Sequence, residues 1–233
     1  MTRYQSSIFF RTLLLPLWLL CSQLSSALVN EPVPTASHSG DPYCWTGMIL
    51  NGQYRGSGSV IRHPKIVVSC AHVVHDESDW ISASSCTWSR AFSGSTPPAS
   101  SQRMPLSGYY SFQGYQSTRA NFGVTHPSTF NLDLVTFWAY ENTAGGGYGG
   151  SVLDGITAIR SSIPKMFTGY PAYPNDPSHT GPARYAMWKA GPFSSRYVAA
   201  SGRYHLNDSA AAYGGVSGGP LWVQTGGGWY QAG

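Results

Sequence analysis

The segment GGVSGGPLW, residues 214–222, is the most informative stretch of the sequence, because it sets one serine among glycines ahead of an apolar run. Ser217 has little side-chain bulk on either side, so a substrate backbone could approach its hydroxyl closely. The glycines also free the chain to direct two N–H groups to one point, where they could stabilise an oxyanion. The same composition is typical of a glycine-rich hairpin turn. Taken alone, this segment leaves a catalytic and a structural interpretation open.

A second segment, IVVSCAHVV at residues 66–74, ends an apolar run with a histidine. The run predicts a buried strand, with His72 at its end. A lone histidine in such a place is more often structural than catalytic, yet His72 alone in this segment can accept and return a proton near neutral pH. His63 and His75 lie in polar, turn-like surroundings that predict exposure. His72 is therefore the candidate general base.

A third segment, NLDLVTF at residues 131–137, places a carboxylate inside an otherwise apolar strand. Burying an unpaired charge is costly, so Asp133 should have a partner. A histidine N–H would serve, and the pairing would orient the ring. The alternative is an aspartate that caps a turn at the beginning of a strand.

The order of these candidates along the chain is His72, Asp133, Ser217. Residues 215–219 also match G-x-S-x-G, the nucleophile elbow of α/β-hydrolases, but that fold needs its acid and its histidine after the serine. No histidine or acidic residue follows Ser217. A lipase or esterase of that fold is excluded.

With these motifs the chain resembles the chymotrypsin/trypsin family of serine peptidases over about residues 43–233. That family carries a small-small-His motif, an Asp-aliphatic motif and Gly-x-Ser-Gly-Gly-Pro in this order, matched here by residues 70–72, 133–135 and 215–220. The resemblance implies an all-β fold of two antiparallel six-stranded β-barrels, with the active site between them.

The resemblance also implies the role of each residue. Ser217 would attack the scissile carbonyl, His72 would take its proton and pass it to the leaving amine, and Asp133 would orient His72. The N–H groups of Gly215 and Ser217 would form the oxyanion hole. The implied function is a secreted serine endopeptidase acting on polypeptides, without a cofactor or a metal. The alternative is a secreted pseudopeptidase, which keeps this fold but binds without cleaving.

The sequence departs from the family at two places near the serine. Val216 stands where many animal members have an aspartate that pairs with a freed amine, so activation by that ion pair is excluded. The chain ends sixteen residues after Ser217, so the second barrel is expected to be incomplete. By the family's spacing, Ala211 forms the floor of the specificity pocket. A floor without charge predicts preference for an apolar residue before the cut.

Short runs rich in β-branched and aromatic residues, separated by Gly, Pro, Ser and Asn, support the all-β class independently. Residues 92–119 and 141–150 are expected to be long loops. The predicted organisation is a signal peptide at 1–27, a short leader or linker at 28–42, a first barrel at 43–140, a Gly-rich linker at 141–150, and a truncated second barrel at 151–233.

Composition and the N-terminus indicate an exported, globular protein. Residues 1–27 have the layout of a signal peptide, with an apolar stretch too short to span a bilayer. Apolar residues make up 42% of the chain, which argues against disorder. The net charge of +4 includes no basic run, so we expect no nucleic-acid partner. We also expect no membrane contact after export, and a monomer. Asn207 begins a glycosylation sequon.

Three cysteines remain after removal of the signal peptide, Cys44, Cys70 and Cys86. An exported chain is expected to pair two of them, and the sequence alone leaves the pairing open. The family resemblance places Cys70 where a small residue usually stands, beside the histidine. It therefore favours a Cys44–Cys86 disulfide.

Overall fold

The computed structural model describes residues 30–52, 54–143, 147–152, 154–172, 185–194, 197–200, 203–206 and 217–232. Within these ranges most regular structure is β, as expected from the short β-branched runs. The strands are β1 (Asn30–Pro32), β2 (Thr46–Asn51), β3 (Tyr54–Val60), β4 (Ile66–Ser69), β5 (Thr87–Arg90), β6 (Met104–Ser111), β7 (Val135–Ala139), β8 (Gly150–Ser151), β9 (Lys165–Gly169), β10 (Trp188–Phe193), β11 (Tyr197–Ala200), β12 (Arg203–Leu206), β13 (Leu221–Thr225) and β14 (Gly228–Gln231). The α-helices are short: α1 (Tyr115–Phe122), α2 (Pro127–Phe130) and α3 (Gly155–Arg160).

The first unit is a closed barrel with the strand order β2-β3-β4-β7-β6-β5. Its neighbouring strands pair antiparallel, beginning with the β2–β3 hairpin from Thr46 opposite Ser59 to Asn51 opposite Tyr54. Along β7 the side chains of Val135, Phe137 and Ala139 are buried and alternate with less buried ones. This period of two places one face of β7 in the barrel interior.

The second unit is a six-stranded sheet with the order β1-β10-β9-β13-β14-β8, accompanied by the separate β11–β12 hairpin. In the described part of the chain this sheet is open rather than closed. Its edge strand β1 pairs antiparallel with β10, and Pro32 lies opposite Trp188. Part of the segment expected to be a leader or linker is thus an integral strand.

Buried hydroxyl groups join the two units. Thr46 Oγ1 and Thr168 Oγ1 are 2.7 Å apart, and Ser59 Oγ donates a hydrogen bond to Gln231 Oε1 at 2.6 Å. Ser57 Oγ accepts the backbone N–H of Tyr170 at 2.8 Å. These bonds satisfy polar groups that water cannot reach, and they fix how the second sheet sits against the barrel.

One expected loop is largely ordered secondary structure. Residues 92–119 contain a 3₁₀ helix at Ser100–Gln102, all of β6 and the beginning of α1. The prediction of a long loop was wrong because it was read from Ser, Pro and Gly content. In β6 the buried positions Leu106 and Gly108 alternate with more exposed ones. Gly108 is required there, since a Cβ would come within 2.1 Å of the Trp138 ring.

The expected Cys44–Cys86 disulfide is not formed, and all three described cysteines are free thiols. Cys44 precedes β2 and Cys86 precedes β5, and these strands pair antiparallel, with Gly47 opposite Arg90. Their beginnings therefore lie at opposite ends of the pair. At about 3.4 Å per residue, this separation exceeds the ~7 Å limit between the Cα atoms of a disulfide.

Candidate active site

His72 lies in a 3₁₀ helix, Ala71–Val74, that follows β4 directly. The helix is anchored because Ala71, Val73 and Val74 are buried in the barrel core. The His72 side chain points the other way and is 35% exposed. The sequence predicted a histidine at the end of a buried strand, and the structure places it just beyond that end.

Asp133 lies between α2 and β7, two residues before Val135 begins the strand. The expectation that it sits inside the strand was wrong by this short distance. Strands β4 and β7 are antiparallel neighbours, with Ser69 opposite Val135. The end of β4 and the beginning of β7 therefore lie side by side, which brings His72 and Asp133 together although 61 residues separate them.

The two side chains form a tight pair. His72 Nδ1 and Asp133 Oδ2 are 2.6 Å apart, and the backbone N–H of His72 donates to Asp133 Oδ1 at 2.9 Å. The Asp133 side chain is only 7% exposed. A carboxylate at Nδ1 favours the proton on that nitrogen, which leaves Nε2 able to accept one.

Ser217 lies in the tight turn that leads into β13. Its carbonyl oxygen accepts the backbone N–H of Ser57 at 2.8 Å. The next residue, Gly218, has φ +79°, and a Cβ there would lie 2.0 Å from Ser69 Oγ, 2.5 Å from the Ser57 carbonyl oxygen and 2.8 Å from the Cys70 nitrogen. The serine segment is therefore docked on β3 and on the end of β4, next to the turn that carries His72.

His72 and Ser217 line the same cavity, whose volume is about 550 Å³. Its other walls come from the β2–β3 hairpin, the segment after His72, and α1. Those lining residues are Asn51, Tyr54, Arg55, Val73, His75, Asp76, Glu77, Ser78, Ile81 and Arg119. A larger cavity of about 890 Å³ lies elsewhere on the barrel, around Trp88 and Arg90, and includes none of the three candidate residues.

Cys70 lies against this pair, as expected for a thiol beside the histidine. Burial, together with the negative charge of Asp133 and against a hydrogen bond from the backbone of Gly218, raises the pKa of Cys70 to about 12. The thiol therefore stays protonated at neutral pH and is a poor nucleophile.

His75 differs from its prediction. It is 4% exposed rather than solvent-facing, and its ring packs edge-on against Trp80 and Tyr115 at centroid distances of 4.9 and 5.6 Å. Polar neighbours in the sequence suggested a turn, but Trp80 and Tyr115 cover the ring from other parts of the chain. His63 is exposed, as expected.

Three predicted site residues lie outside the described residues: Gly215 of the oxyanion hole, Ala211 of the specificity pocket and the sequon Asn207. Sequence reasoning missed Ser57, whose backbone holds the Ser217 segment. Its signal in the sequence is weak, since a small residue in a strand has many possible roles.

Comparison with solved structures identifies a similar fold. A structure described as a Glu endopeptidase in complex with MPD superposes with a TM-score of 0.59 at 18% identity, covering 84% of this chain and 80% of the other. No family model matches the sequence, and no curated protein matches it. The closed barrel with its second sheet is thus a chymotrypsin-like two-barrel fold. Among the described residues no helix is long and apolar enough to cross a membrane.

Proposed function

We propose that this protein is a secreted serine endopeptidase that cleaves peptide bonds through Ser217, His72 and Asp133. The observation that carries this proposal is the His72–Asp133 pair, in which His72 lines a cavity together with Ser217. The fold likeness to a Glu endopeptidase supports it at the level of architecture.

The proposed chemistry follows from which nitrogen of His72 is free. Asp133 holds the proton on Nδ1, so Nε2 accepts the Ser217 proton while Oγ attacks the substrate carbonyl. His72 then protonates the leaving amine, and water releases the acyl group by the reverse sequence. The charge that develops on His72 is stabilised by Asp133, whose burial strengthens this interaction.

The proposal is tested by hydrolysis of a protein substrate with the wild type, Ser217→Ala and His72→Ala. Each substitution should lower turnover by several orders of magnitude, because residues of such a unit act together. Unchanged hydrolysis by purified Ser217→Ala would exclude the assignment. A pseudopeptidase would show no hydrolysis in any of the three proteins.

Export is part of the same proposal and rests on the signal-like layout of residues 1–27. The secreted protein should begin near Leu28. N-terminal sequencing that finds the intact Met1 end on a cytosolic protein would contradict export.

A further inference from the structure

The thiol of Cys70 lies beside two groups that bind metals well. Cys70 Sγ, a ring nitrogen of His72 and a carboxylate oxygen of Asp133 all lie within 4.8 Å of one another. No other set of three such side chains meets this spacing in the part of the chain that the structure describes. The catalytic scheme uses His72 and Asp133 but gives the thiol no role.

We propose that a thiophilic divalent cation, Zn²⁺ or Cd²⁺, binds between Cys70, His72 and Asp133 and reversibly inhibits the enzyme. Thiolate, imidazole and carboxylate are the three ligand types that Zn²⁺ takes in proteins. The inhibitory part rests on the proposed peptidase function, whereas metal binding does not.

The spacing fits one ion after a small adjustment. Ligand atoms around a tetrahedral Zn²⁺ lie roughly 3–4 Å apart, given bonds of about 2.0–2.3 Å. The 2.6 Å contact between His72 Nδ1 and Asp133 Oδ2 must therefore widen by about 0.4–1.4 Å. The His72 side chain, 35% exposed and facing the cavity, is the element that can turn to admit the ion.

Coordination would stop catalysis through the protons of His72. The thiol releases its proton to solvent when Sγ binds the ion. The ion takes the place of the proton on Nδ1, and that proton moves to Nε2, so one proton leaves the protein in total. An Nε2 that carries a proton cannot accept the one from Ser217. Asp133 is meanwhile bound to the ion rather than to the ring.

The binding test uses a protein that cannot turn over. In a Ser217→Ala background, cadmium is titrated while the ultraviolet charge-transfer absorption of a cadmium–thiolate bond is recorded. The expected result is saturation at one cadmium per chain, and a loss of affinity of at least about 10- to 100-fold when Cys70→Ala is added. Cys44→Ala in the same background is the matched control, because Cys44 is another buried thiol and lines the other cavity.

The proposed site would be overturned if Cys70→Ala still showed the cadmium–thiolate band with unchanged affinity for cadmium. It would also be overturned if a protein that retains Cys70 showed no such band. Cys70→Ser, checked by circular dichroism, serves if the alanine variant does not fold.

Inhibition is then measured with zinc on proteins that retain Ser217, and the activity of each protein with zinc is compared with its own activity without metal. Cys70→Ala should need at least about 10-fold more zinc than Cys44→Ala. If proteins with Ser217 hydrolyse nothing, the peptidase proposal fails, while the cadmium band still decides the metal site.

Discussion

The carboxylate of Asp133 makes two hydrogen bonds to one residue: Oδ2 pairs with His72 Nδ1 at 2.6 Å, and Oδ1 accepts the backbone N–H of His72 at 2.9 Å. The second bond fixes the carboxylate on the backbone of the 3₁₀ helix. The first then sets the plane of the ring. The orientation of the His72 ring is therefore set by a carboxylate that also binds the backbone of the same residue.

Replacing Asp133 with Asn should reverse the proton arrangement of His72. The amide can still accept the backbone N–H, but its NH₂ group would face Nδ1 and favour the proton on Nε2. We expect kcat to fall by about 10⁴-fold with a much smaller change in KM. Steady-state kinetics measures both. Asp154→Asn is the control. Asp154 is an exposed N-cap of α3 that accepts a hydrogen bond from the backbone N–H of Thr157, and an asparagine side chain can accept the same bond.

A similar fall in kcat for Asp154→Asn would show that the effect is not specific to the pair. Wild-type turnover in Asp133→Asn would remove Asp133 from the mechanism.

Gly218→Ala should disrupt the docking of the serine segment. The added Cβ would meet Ser69 Oγ at 2.0 Å, and two of its three nearest atoms belong to backbone that cannot move aside cheaply. Gly123→Ala is matched to it, because Gly123 also has a positive φ, +83°, but has nothing within 4 Å of its Cβ position. Both variants place an L residue at a positive φ, which costs about 1–3 kcal/mol, and only Gly218→Ala carries the clash.

We therefore expect Gly218→Ala to lose both thermal stability and kcat/KM relative to Gly123→Ala. Equal losses in the two variants, measured by thermal denaturation and steady-state kinetics, would contradict the docking described for Ser217.

The three free thiols should make the protein less stable in alkali. Burial raises the pKa of Cys70 to about 12, and those of Cys44 and Cys86 to about 11, from an ordinary value of 9.0. The thiols ionise at lower pH in the unfolded chain than in the folded protein. The folding stability that the protonated, buried thiols contribute is therefore fully present below pH 9, and it is lost as the pH rises through the pKa values of the folded protein. Urea unfolding between about pH 8 and pH 10.5 should show this decline. Cys44→Ala should decline less steeply than the wild type, whereas an equal or steeper slope would contradict the prediction.

Cleavage should favour an apolar or aromatic residue before the cut. This prediction rests on the proposal, taken from the family's spacing, that Ala211 forms the pocket floor, with Ala210 and Ala212 on either side. A floor without charge could not offset the desolvation of a substrate ammonium group. Profiling on a peptide library tests it. Cuts mainly after Lys or Arg would contradict it, and Asp208 would then be the first acidic residue to test for a role in the pocket. Cuts mainly after Glu would contradict it as well.

The sequence predicted the fold class and the pairing of His72 with Asp133, because an acid among apolar residues needs a partner. The pairing has a topological cause that the sequence does not display, namely that β4 and β7 are antiparallel neighbours. The wrong Cys44–Cys86 disulfide has the same kind of origin, since the antiparallel register of β2 and β5 separates the two thiols. The docking of Ser217 on Ser57 joins residues 160 positions apart and could not be read from local pattern.

Covalent labelling tests whether Ser217 is a nucleophile that His72 activates. A fluorophosphonate probe reacts with an activated serine and is located by peptide mass spectrometry. We expect one probe per chain on Ser217 in the wild type, and no label on Ser217 in His72→Ala. Labelling elsewhere, or on Ser217 at an unchanged rate without His72, would contradict it.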